Sequence, residues 1–143
     1  MEHKATVAQT TGNDSLSKAG GQTPSFFVSS WRENNVLFLE MRGELDLHTV
    51  AVLKQAICDG LAHNTCDTIV ADMSAVSFVD STGYGVFISA MQTLRFRGNG
   101  TVHLVACQPP VTRMLAVIRL DRVFTMHQSL DAVRESLALA APV

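Results

Sequence analysis

The chain has 143 residues, 47% hydrophobic and 17% charged, a length that suits one domain and leaves little room for a separate catalytic domain. Eleven lysine and arginine residues stand against thirteen acidic residues, which gives a formal net charge of -2 at pH 7. Because no three basic residues follow one another, the sequence lacks the electrostatic footprint of a nucleic-acid-binding protein, and we expect no nucleic-acid partner.

Residues 1–24 are predicted to form a flexible N-terminal tail. They are mostly small and polar, and Val7 and Leu16 are their only bulky aliphatic side chains. This apolar area is too small to offset the entropy that a segment loses when it becomes ordered. We therefore expect the folded domain to span residues 25–143. The N-terminus shows no apolar segment of the kind that a secretory signal peptide has, so none is predicted.

Two runs rich in β-forming residues open the domain, at residues 25–32 and 36–42. Turn-forming residues at 33–35 separate these runs, which predicts a hairpin. A first helix is predicted over residues 48–62, because bulky aliphatic residues recur there at spacings of three and four: Val50, Leu53, Ile57 and Leu61.

The remaining chain alternates between strands and helices. Apolar runs at residues 68–71 and 76–79 predict buried strand, and helical periodicity follows from Ser81 to the turn at residues 98–100. The order ββαβαβαβα predicts a single α/β domain with a mixed, mostly parallel sheet covered by helices. The elements after the turn are a strand over residues 101–107, a helix from Pro109, a strand over residues 123–126 and a helix from about Ser129.

The most informative segment is residues 77–85, which place Asp80, Ser81 and Thr82 between a buried run and the start of a helix. Asp80 or Ser81 at the N-cap of this helix is a purely structural reason for these residue types. Capping does not account for the two glycines that follow at positions 83 and 85, since each costs up to about 1 kcal/mol relative to alanine. Glycines there let a backbone or a phosphate approach closely, and a helix N-terminus favours an anion. Ser81 therefore has the position of a phosphorylation site.

Three segments, at residues 43–46, 78–85 and 98–100, resemble those of the STAS domains and, within that family, the anti-sigma factor antagonists of bacteria. The similarity extends over about residues 27–140. It implies a protein that, when dephosphorylated, binds an anti-sigma factor with serine kinase activity and so frees a sigma factor to join RNA polymerase. The kinase then phosphorylates the antagonist and weakens the complex, until a metal-dependent serine phosphatase removes the phosphate.

The resemblance also implies roles for individual residues. Ser81 is the implied phosphate acceptor, and Thr82 is the alternative because both hydroxyls lie at the start of the helix. Leu47 and His48 stand where the family often has two histidines, and Tyr84 stands where an aliphatic residue is commoner, which leaves the identity of the partner open. Tyr84 is expected to supply apolar contact area. The implied partner-binding residues are Asp46, His48, Asp80, Ser81, Thr82, Gly83, Tyr84 and Gly85.

The predicted protein is a phosphorylation-gated binding module without enzyme activity, cofactor or metal. The alternative is a STAS-type scaffold or accessory subunit in a stress-signalling complex or a transporter, in which Ser81 only caps a helix. A hydrolase with Ser81 as its nucleophile is disfavoured, because the nucleophile elbow needs a glycine where this chain has Val79. No triad spacing selects a base from His48, His63, His103 and His127.

The cysteines and the hydropathy of the sequence indicate whether the protein binds zinc, forms disulfides or crosses a membrane. Cys58, His63 and Cys66 lie within nine positions but lack a fourth ligand, so no zinc site is predicted. A redox pair among Cys58, Cys66 and Cys107 stays open. Three cysteines do not make a disulfide framework, which favours a reducing cytoplasm. No apolar stretch approaches the roughly 20 residues of a membrane-spanning helix, so we expect no membrane partner.

Overall fold

A computed structural model of the chain describes residues 7–10, 26–62 and 66–138. From the second strand onward, the order of elements is the predicted ββαβαβαβα. Within these ranges the elements are β1 (Val7–Thr10), β2 (Phe26–Glu33), β3 (Val36–Leu45), α1 (Val50–Leu61), β4 (Thr68–Val79), α2 (Ser81–Arg97), β5 (Thr101–Val105), α3 (Pro109–Val117), a 3₁₀ turn (Leu120–Arg122), β6 (Thr125–His127) and α4 (Leu130–Ser136).

The six strands form one sheet, in which neighbours in space are also neighbours in the chain. The pairs β1–β2 and β2–β3 are antiparallel, and the pairs from β3 to β6 are parallel. Each parallel connection passes through a helix, as a crossover between parallel strands usually does. The carboxyl ends of β3, β4 and β5 therefore lie along one edge of the sheet. The predicted fold class, a mixed and mostly parallel sheet with helices, is confirmed.

The sheet separates two hydrophobic cores. Helices α1, α2 and α3 cover one face, and α4 packs on the other. Successive strand residues point to opposite faces, so the four buried residues that begin β3 serve both cores in turn, which is why they read as a continuous apolar run. The larger core contains Phe26, Leu39, Met41, Leu53, Ile69, Phe87 and Leu104, and the smaller core contains Val36, Phe38, Val70, Val105 and Val133.

The structure departs from the tail prediction at one place. Residues 7–10 were expected to belong to a flexible segment, but they form β1, in which Val7 lies opposite Ser29 and Thr10 opposite Phe26. The free edge of β2 offers main-chain N–H and C=O groups that any extended segment can pair with, so a low apolar content does not prevent a strand here. The rest of the predicted tail, and the predicted boundary after residue 24, lie outside the described residues.

Several element boundaries also differ from the predictions: β3 extends to Leu45, β5 ends at Val105 and α1 begins at Val50. The apolar runs at 68–71 and 76–79 are the two ends of one strand, β4, which is twelve residues long. The last strand begins at Thr125 rather than at residue 123, because a 3₁₀ turn precedes it and Phe124 is buried in the larger core. Among the described helices, none combines the length and the apolar character needed to cross a bilayer.

Candidate functional site

The segment that contains Asp80 and Ser81 begins where β4 ends, beside the carboxyl end of β3. Leu45 and Val79, the last residues of these two strands, are paired in the sheet. The backbone N–H of Asp80 continues this ladder by donating to the carbonyl oxygen of Leu45 at 3.0 Å. The start of α2 is therefore attached directly to the edge of the sheet.

Asp80 is the N-cap residue of α2. Its Oδ1 atom accepts hydrogen bonds from the backbone N–H groups of Thr82 (2.9 Å) and Gly83 (3.2 Å) and from the hydroxyl of Thr82 (2.5 Å). Its Oδ2 atom accepts from the backbone N–H of Leu47 at 3.2 Å. Of the two caps that the sequence allowed, Asp80 is the one observed. The same carboxylate also links the start of α2 to the loop that follows β3.

The environment of Asp80 favours its ionised form. Desolvation by burial raises the pKa of this carboxyl, but the hydrogen bonds from Thr82, Gly83 and Leu47 together outweigh that effect and hold the pKa below its ordinary value. A negative charge thus already occupies the positive end of α2. The helix N-terminus was expected to favour a phosphate, but Asp80 already accepts from two of its N–H groups.

The two candidate hydroxyls differ in exposure and in hydrogen bonding. Ser81 is the first residue of α2 and is exposed, and its hydroxyl makes no hydrogen bond within the described part of the chain. Thr82 is half-buried, and its hydroxyl donates to Asp80. Ser81 is therefore the hydroxyl that solvent and a partner can reach.

The predicted partner-binding residues at positions 83–85 divide between the core and the surface. Gly83 is buried, and a Cβ atom there would lie 2.7 Å from Val79 Cγ1 and 2.9 Å from Leu45 Cδ2, so glycine lets α2 approach the strand ends. Tyr84 is only 4% exposed, which removes it from the docking surface and overturns its predicted role as an apolar contact. Gly85 is exposed, with no atom near the position of a Cβ.

The loop after β3 presents Leu47 and His48 beside the start of α2. Asp46 holds the loop, because its Oδ1 atom accepts from the backbone N–H groups of His48 (2.9 Å) and Thr49 (3.2 Å). The buried hydroxyl of Thr49 donates to the carbonyl oxygen of Glu44 at 2.7 Å. His48 is exposed and Leu47 is 67% exposed, although sequence reasoning noted Leu47 only as a departure from the family. The sequence could have indicated an exposed Leu47, because a bulky aliphatic residue stands there between two polar residues, Asp46 and His48.

The other constellations weighed in the sequence do not converge on Ser81. His103 and His127 hydrogen-bond to each other, at 2.9 Å between Nδ1 and Nε2, and no described histidine hydrogen-bonds to Ser81. His63 lies outside the described residues. Within the described ranges, no group of three or more histidine, cysteine or acidic residues is arranged to hold a metal ion.

None of the three cysteines forms a disulfide. Cys58 is exposed on α1, Cys66 is buried, and Cys107 is half-buried. Burial raises the pKa of Cys107 to about 11, which keeps it in the unreactive thiol form at neutral pH. A redox pair among these cysteines therefore has no support from the geometry.

Replacing Asp80 by alanine is expected to lower the free energy of unfolding by about 1 kcal/mol, the usual cost of losing an N-cap. The change removes the acceptor for two backbone N–H groups of α2 and for Leu47. Urea unfolding followed by circular dichroism measures the loss. Asp80→Asn is the control, since its amide oxygen still caps the helix and should retain most of the stability. Equal stability of Asp80→Ala and the wild type would contradict the capping role.

Comparison with known proteins identifies similar chains over most of this one. The model of the STAS domain matches residues 31–133. The chain is 33% identical over 115 residues to the anti-sigma-F factor antagonist RsfB of Mycobacterium tuberculosis, an alignment that covers 77% of this chain and 91% of RsfB. Residues 31–133, which the STAS domain model matches, include every candidate site residue from Asp46 to Gly85.

Solved structures show the same architecture. The crystal structure of an anti-sigma factor antagonist from Mycobacterium paratuberculosis superposes with a TM-score of 0.70 at 25% identity and covers 79% of this chain and 94% of its own. The Bacillus cell fate determinant SpoIIAA in its phosphorylated form superposes with a TM-score of 0.58 at 21% identity, covering 73% of this chain and 93% of its own. The likeness to SpoIIAA shows the fold alone.

Proposed function

The chain belongs to the STAS domain family, and on this premise we propose that it is an anti-sigma factor antagonist whose partner binding is gated by phosphorylation of Ser81. The dephosphorylated protein binds an anti-sigma factor with serine kinase activity in the cytoplasm, and this releases a sigma factor for transcription. The kinase phosphorylates Ser81 and weakens the complex, and a serine phosphatase restores the binding form. The protein acts by binding, without a catalytic step or a cofactor of its own.

The observation that carries this proposal is the exposed hydroxyl of Ser81 at the first position of α2. A kinase must reach its acceptor, and this one lies at a sheet edge where side chains from two loops meet. The backbone on both sides is fixed, by the bond from Asp80 to Leu45 and by the cap on Gly83. A rigid, accessible serine suits a partner that must recognise the same surface before and after phosphoryl transfer.

Hydrogen bonding favours Ser81 over Thr82 as the acceptor. The Thr82 hydroxyl donates its proton to Asp80 Oδ1 at 2.5 Å and is half-buried. Phosphorylation of Thr82 would require its side chain to rotate toward the kinase, which would break this hydrogen bond. Ser81 has no such bond to lose within the described residues.

Phosphorylation is expected to change the surface rather than the fold. A phosphate adds about 1.5 to 2 negative charges beside the ionised Asp80. The N–H groups of Thr82 and Gly83 are already paired with Asp80, so the phosphate gains little from them and stays in solvent. A partner fitted to a neutral hydroxyl then meets bulk and like charge, which accelerates dissociation.

The proposed docking surface consists of the exposed parts of the two loops and the first turns of α2. Asp46 and His48 provide polar contacts, and Leu47 provides the apolar anchor that was first assigned to Tyr84. A partner that covers this exposed aliphatic side chain removes its apolar surface from water, which favours binding. Asp80, Thr82 and Gly83 act on this surface through the backbone that they hold in place.

Ser81→Ala and Ser81→Asp are expected to separate the two states of the switch. Ser81→Ala should bind the cognate anti-sigma kinase as tightly as the dephosphorylated wild type and should stay bound in the presence of ATP. Ser81→Asp should bind at least about tenfold more weakly, a loss of about 1.4 kcal/mol, because a fixed negative charge enters the interface. Titration calorimetry with the purified kinase measures both affinities.

Phosphate mapping and a neighbouring variant control this experiment. After incubation with the kinase and ATP, mass spectrometry should place the phosphate on Ser81, and Thr82→Ala should be phosphorylated like the wild type. Equal affinities for Ser81→Ala and Ser81→Asp would overturn the switch. A wild-type protein that binds the kinase but is never phosphorylated would instead favour the scaffold alternative.

A further inference from the structure

The two oxygen atoms of the Asp80 carboxylate contact different parts of the chain. Oδ1 accepts from the backbone N–H groups of Thr82 and Gly83, which belong to the first turn of α2. Oδ2 accepts from the backbone N–H of Leu47 at 3.2 Å, and Leu47 belongs to the loop between β3 and α1. A single side chain therefore holds both the helix that begins with Ser81 and the loop that carries Leu47.

The loop between β3 and α1 also has hydrogen bonds of its own. Oδ1 of Asp46 accepts from the backbone N–H groups of His48 and Thr49, and the hydroxyl of Thr49 donates to the carbonyl oxygen of Glu44. These bonds are independent of Asp80 and fix the residues on both sides of Leu47. The bond from Leu47 to Asp80 is of a different kind, because it joins the loop to a residue 33 positions further along the chain.

The exposure of Leu47 makes this main-chain bond important for binding. Leu47 is 67% exposed, so its side chain gains little from packing that would hold its backbone in one conformation. A contact residue whose backbone is already ordered loses less conformational entropy when a partner binds. Holding Leu47 by its N–H therefore favours binding even without a contact between Asp80 and the partner.

We propose that Asp80 is a positioning residue for partner binding. Its Oδ2 atom fixes Leu47 beside Ser81, so that the partner meets the apolar anchor and the phosphate acceptor as one ordered surface. Its Oδ1 atom has the separate task of capping α2. This inference rests on the proposed function, because the partner is the anti-sigma kinase whose binding Ser81 gates.

Asp80→Asn separates the two tasks of this side chain. The oxygen of asparagine can still cap α2, but an amide NH₂ group replaces the second oxygen and cannot accept from Leu47. We expect Asp80→Asn to bind the purified anti-sigma kinase about tenfold more weakly than the wild type in titration calorimetry, because the kinase must then order the backbone of Leu47 itself.

Asp72→Asn is the matched control for this measurement. It makes the same chemical change at a carboxylate that also accepts from the backbone N–H two positions later, that of Ser74 within β4. Asp72 makes this bond inside its own strand and holds no part of the loop that carries Leu47. The control variant should bind the kinase like the wild type.

A double-mutant cycle shows whether Asp80 acts through Leu47. Leu47→Ala removes the apolar anchor and should itself weaken binding. In the Leu47→Ala background, adding Asp80→Asn should lower the affinity by less than about twofold, because no anchor is left to position. A direct contact between Asp80 and the partner, or a role in stability alone, would give the same loss in both backgrounds.

Backbone ¹⁵N relaxation measures the position of Leu47 without a partner. The order parameter of Leu47 should be about 0.85 in the wild type, the value of rigid backbone, and should fall toward about 0.6 in Asp80→Asn. Gly83 should keep its wild-type value, because the cap on α2 remains.

Three results would overturn the inference: an unchanged order parameter of Leu47 in Asp80→Asn, equal affinities of Asp80→Asn and the wild type, or additive losses in the cycle. If the wild type does not bind the kinase, the proposed function fails and this inference fails with it. If the Ser81 variants behave as expected but Asp80→Asn binds like the wild type, only this inference fails.

Discussion

Replacing Arg134 by alanine is expected to lower the free energy of unfolding by about 3 kcal/mol, the cost of leaving one member of a buried ion pair alone. The guanidinium of Arg134 forms two parallel hydrogen bonds with the carboxylate of Glu33, each 2.6 Å long. The side chains are only 9% and 13% exposed, so water cannot replace the lost partner. The hydrogen bonds from Arg134, supported by one from Trp31, hold the pKa of Glu33 below its ordinary value despite burial.

This pair matters because it attaches α4 to the sheet face opposite the candidate site. The Arg134 guanidinium also lies 4.8 Å from the centre of the Phe38 ring, and the ring of Trp31 stacks on the same phenyl ring with 5.3 Å between the ring centres. Only a few apolar side chains of α4 reach the smaller core, among them Leu130 and Val133. The loss of the ion pair therefore removes a large share of what holds this helix.

Chemical denaturation of three variants tests this role. Arg122→Ala is the matched control, because Arg122 is exposed on the 3₁₀ turn, and it should change the stability by less than about 0.5 kcal/mol. Arg134→Lys keeps the charge but loses the paired geometry and should fall between the two. The role of the ion pair is contradicted if Arg134→Ala and Arg122→Ala unfold at the same urea concentration.

The start of α2 could be predicted from the sequence because its signals are local. An apolar run, then Asp80 and Ser81, then a change to helical spacing indicate the boundary without knowledge of any distant residue. The choice between the two caps needed the structure. There Asp80 accepts from the N–H groups of Thr82 and Gly83, and a third bond comes from Leu47, more than thirty positions away in the chain.

The roles of the two glycines in α2 required knowledge of the packing. Residues two positions apart on a helix point about 200° away from each other, so Gly83 and Gly85 cannot both face a partner. Gly83 faces Leu45 and Val79, and Gly85 faces open space. The helical period alone predicts that at most one of the two glycines points inward. Which glycine does so depends on how α2 packs on the ends of β3 and β4. The burial of Tyr84 follows from the same orientation.

The edge strand β1 was missed for a different reason. A prediction from composition uses only the apolar character of the side chains, whereas main-chain hydrogen bonds pair β1 with β2. The contact between His103 and His127 was likewise hidden, since it arises from the pairing of β5 with β6 and joins residues 24 positions apart. Sequence reasoning treated both histidines only as candidate bases.

The protein is expected to lose about 2 kcal/mol of stability when the pH falls from 7.5 to 5, because His103 is held in its neutral form. Burial, and then the neighbouring His127, lower the pKa of His103 from 6.5 to about 4. Its side chain is 5% exposed and hydrogen-bonds to Thr101 and His127, both at 2.9 Å. The unfolded chain takes up a proton below pH 6.5, whereas the folded protein does so only near pH 4.

The sign of this effect follows from the two pKa values. Above pH 6.5 both states carry a neutral His103 and its contribution to stability is complete. As the pH falls toward 4, protonation favours the unfolded chain by up to about 3 kcal/mol, and the loss is complete below that pH. The carboxyls of Glu33 and Asp80, whose pKa values lie below 4.5 and 3.8, stay ionised in the folded protein across most of this range and add their own losses at lower pH.

Urea unfolding at pH 7.5, 6 and 5 measures this dependence. His103→Gln cannot gain a proton at this position and should lose less stability than the wild type over the same range; the loss that remains comes from His127, whose pKa burial also lowers. His48→Gln is the matched control, since the side chain of His48 is exposed and makes no hydrogen bond within the described residues, and it should follow the wild type. A wild-type stability that stays constant down to pH 5, or a His103→Gln variant that falls in parallel with it, would show that the histidine pair does not control acid unfolding.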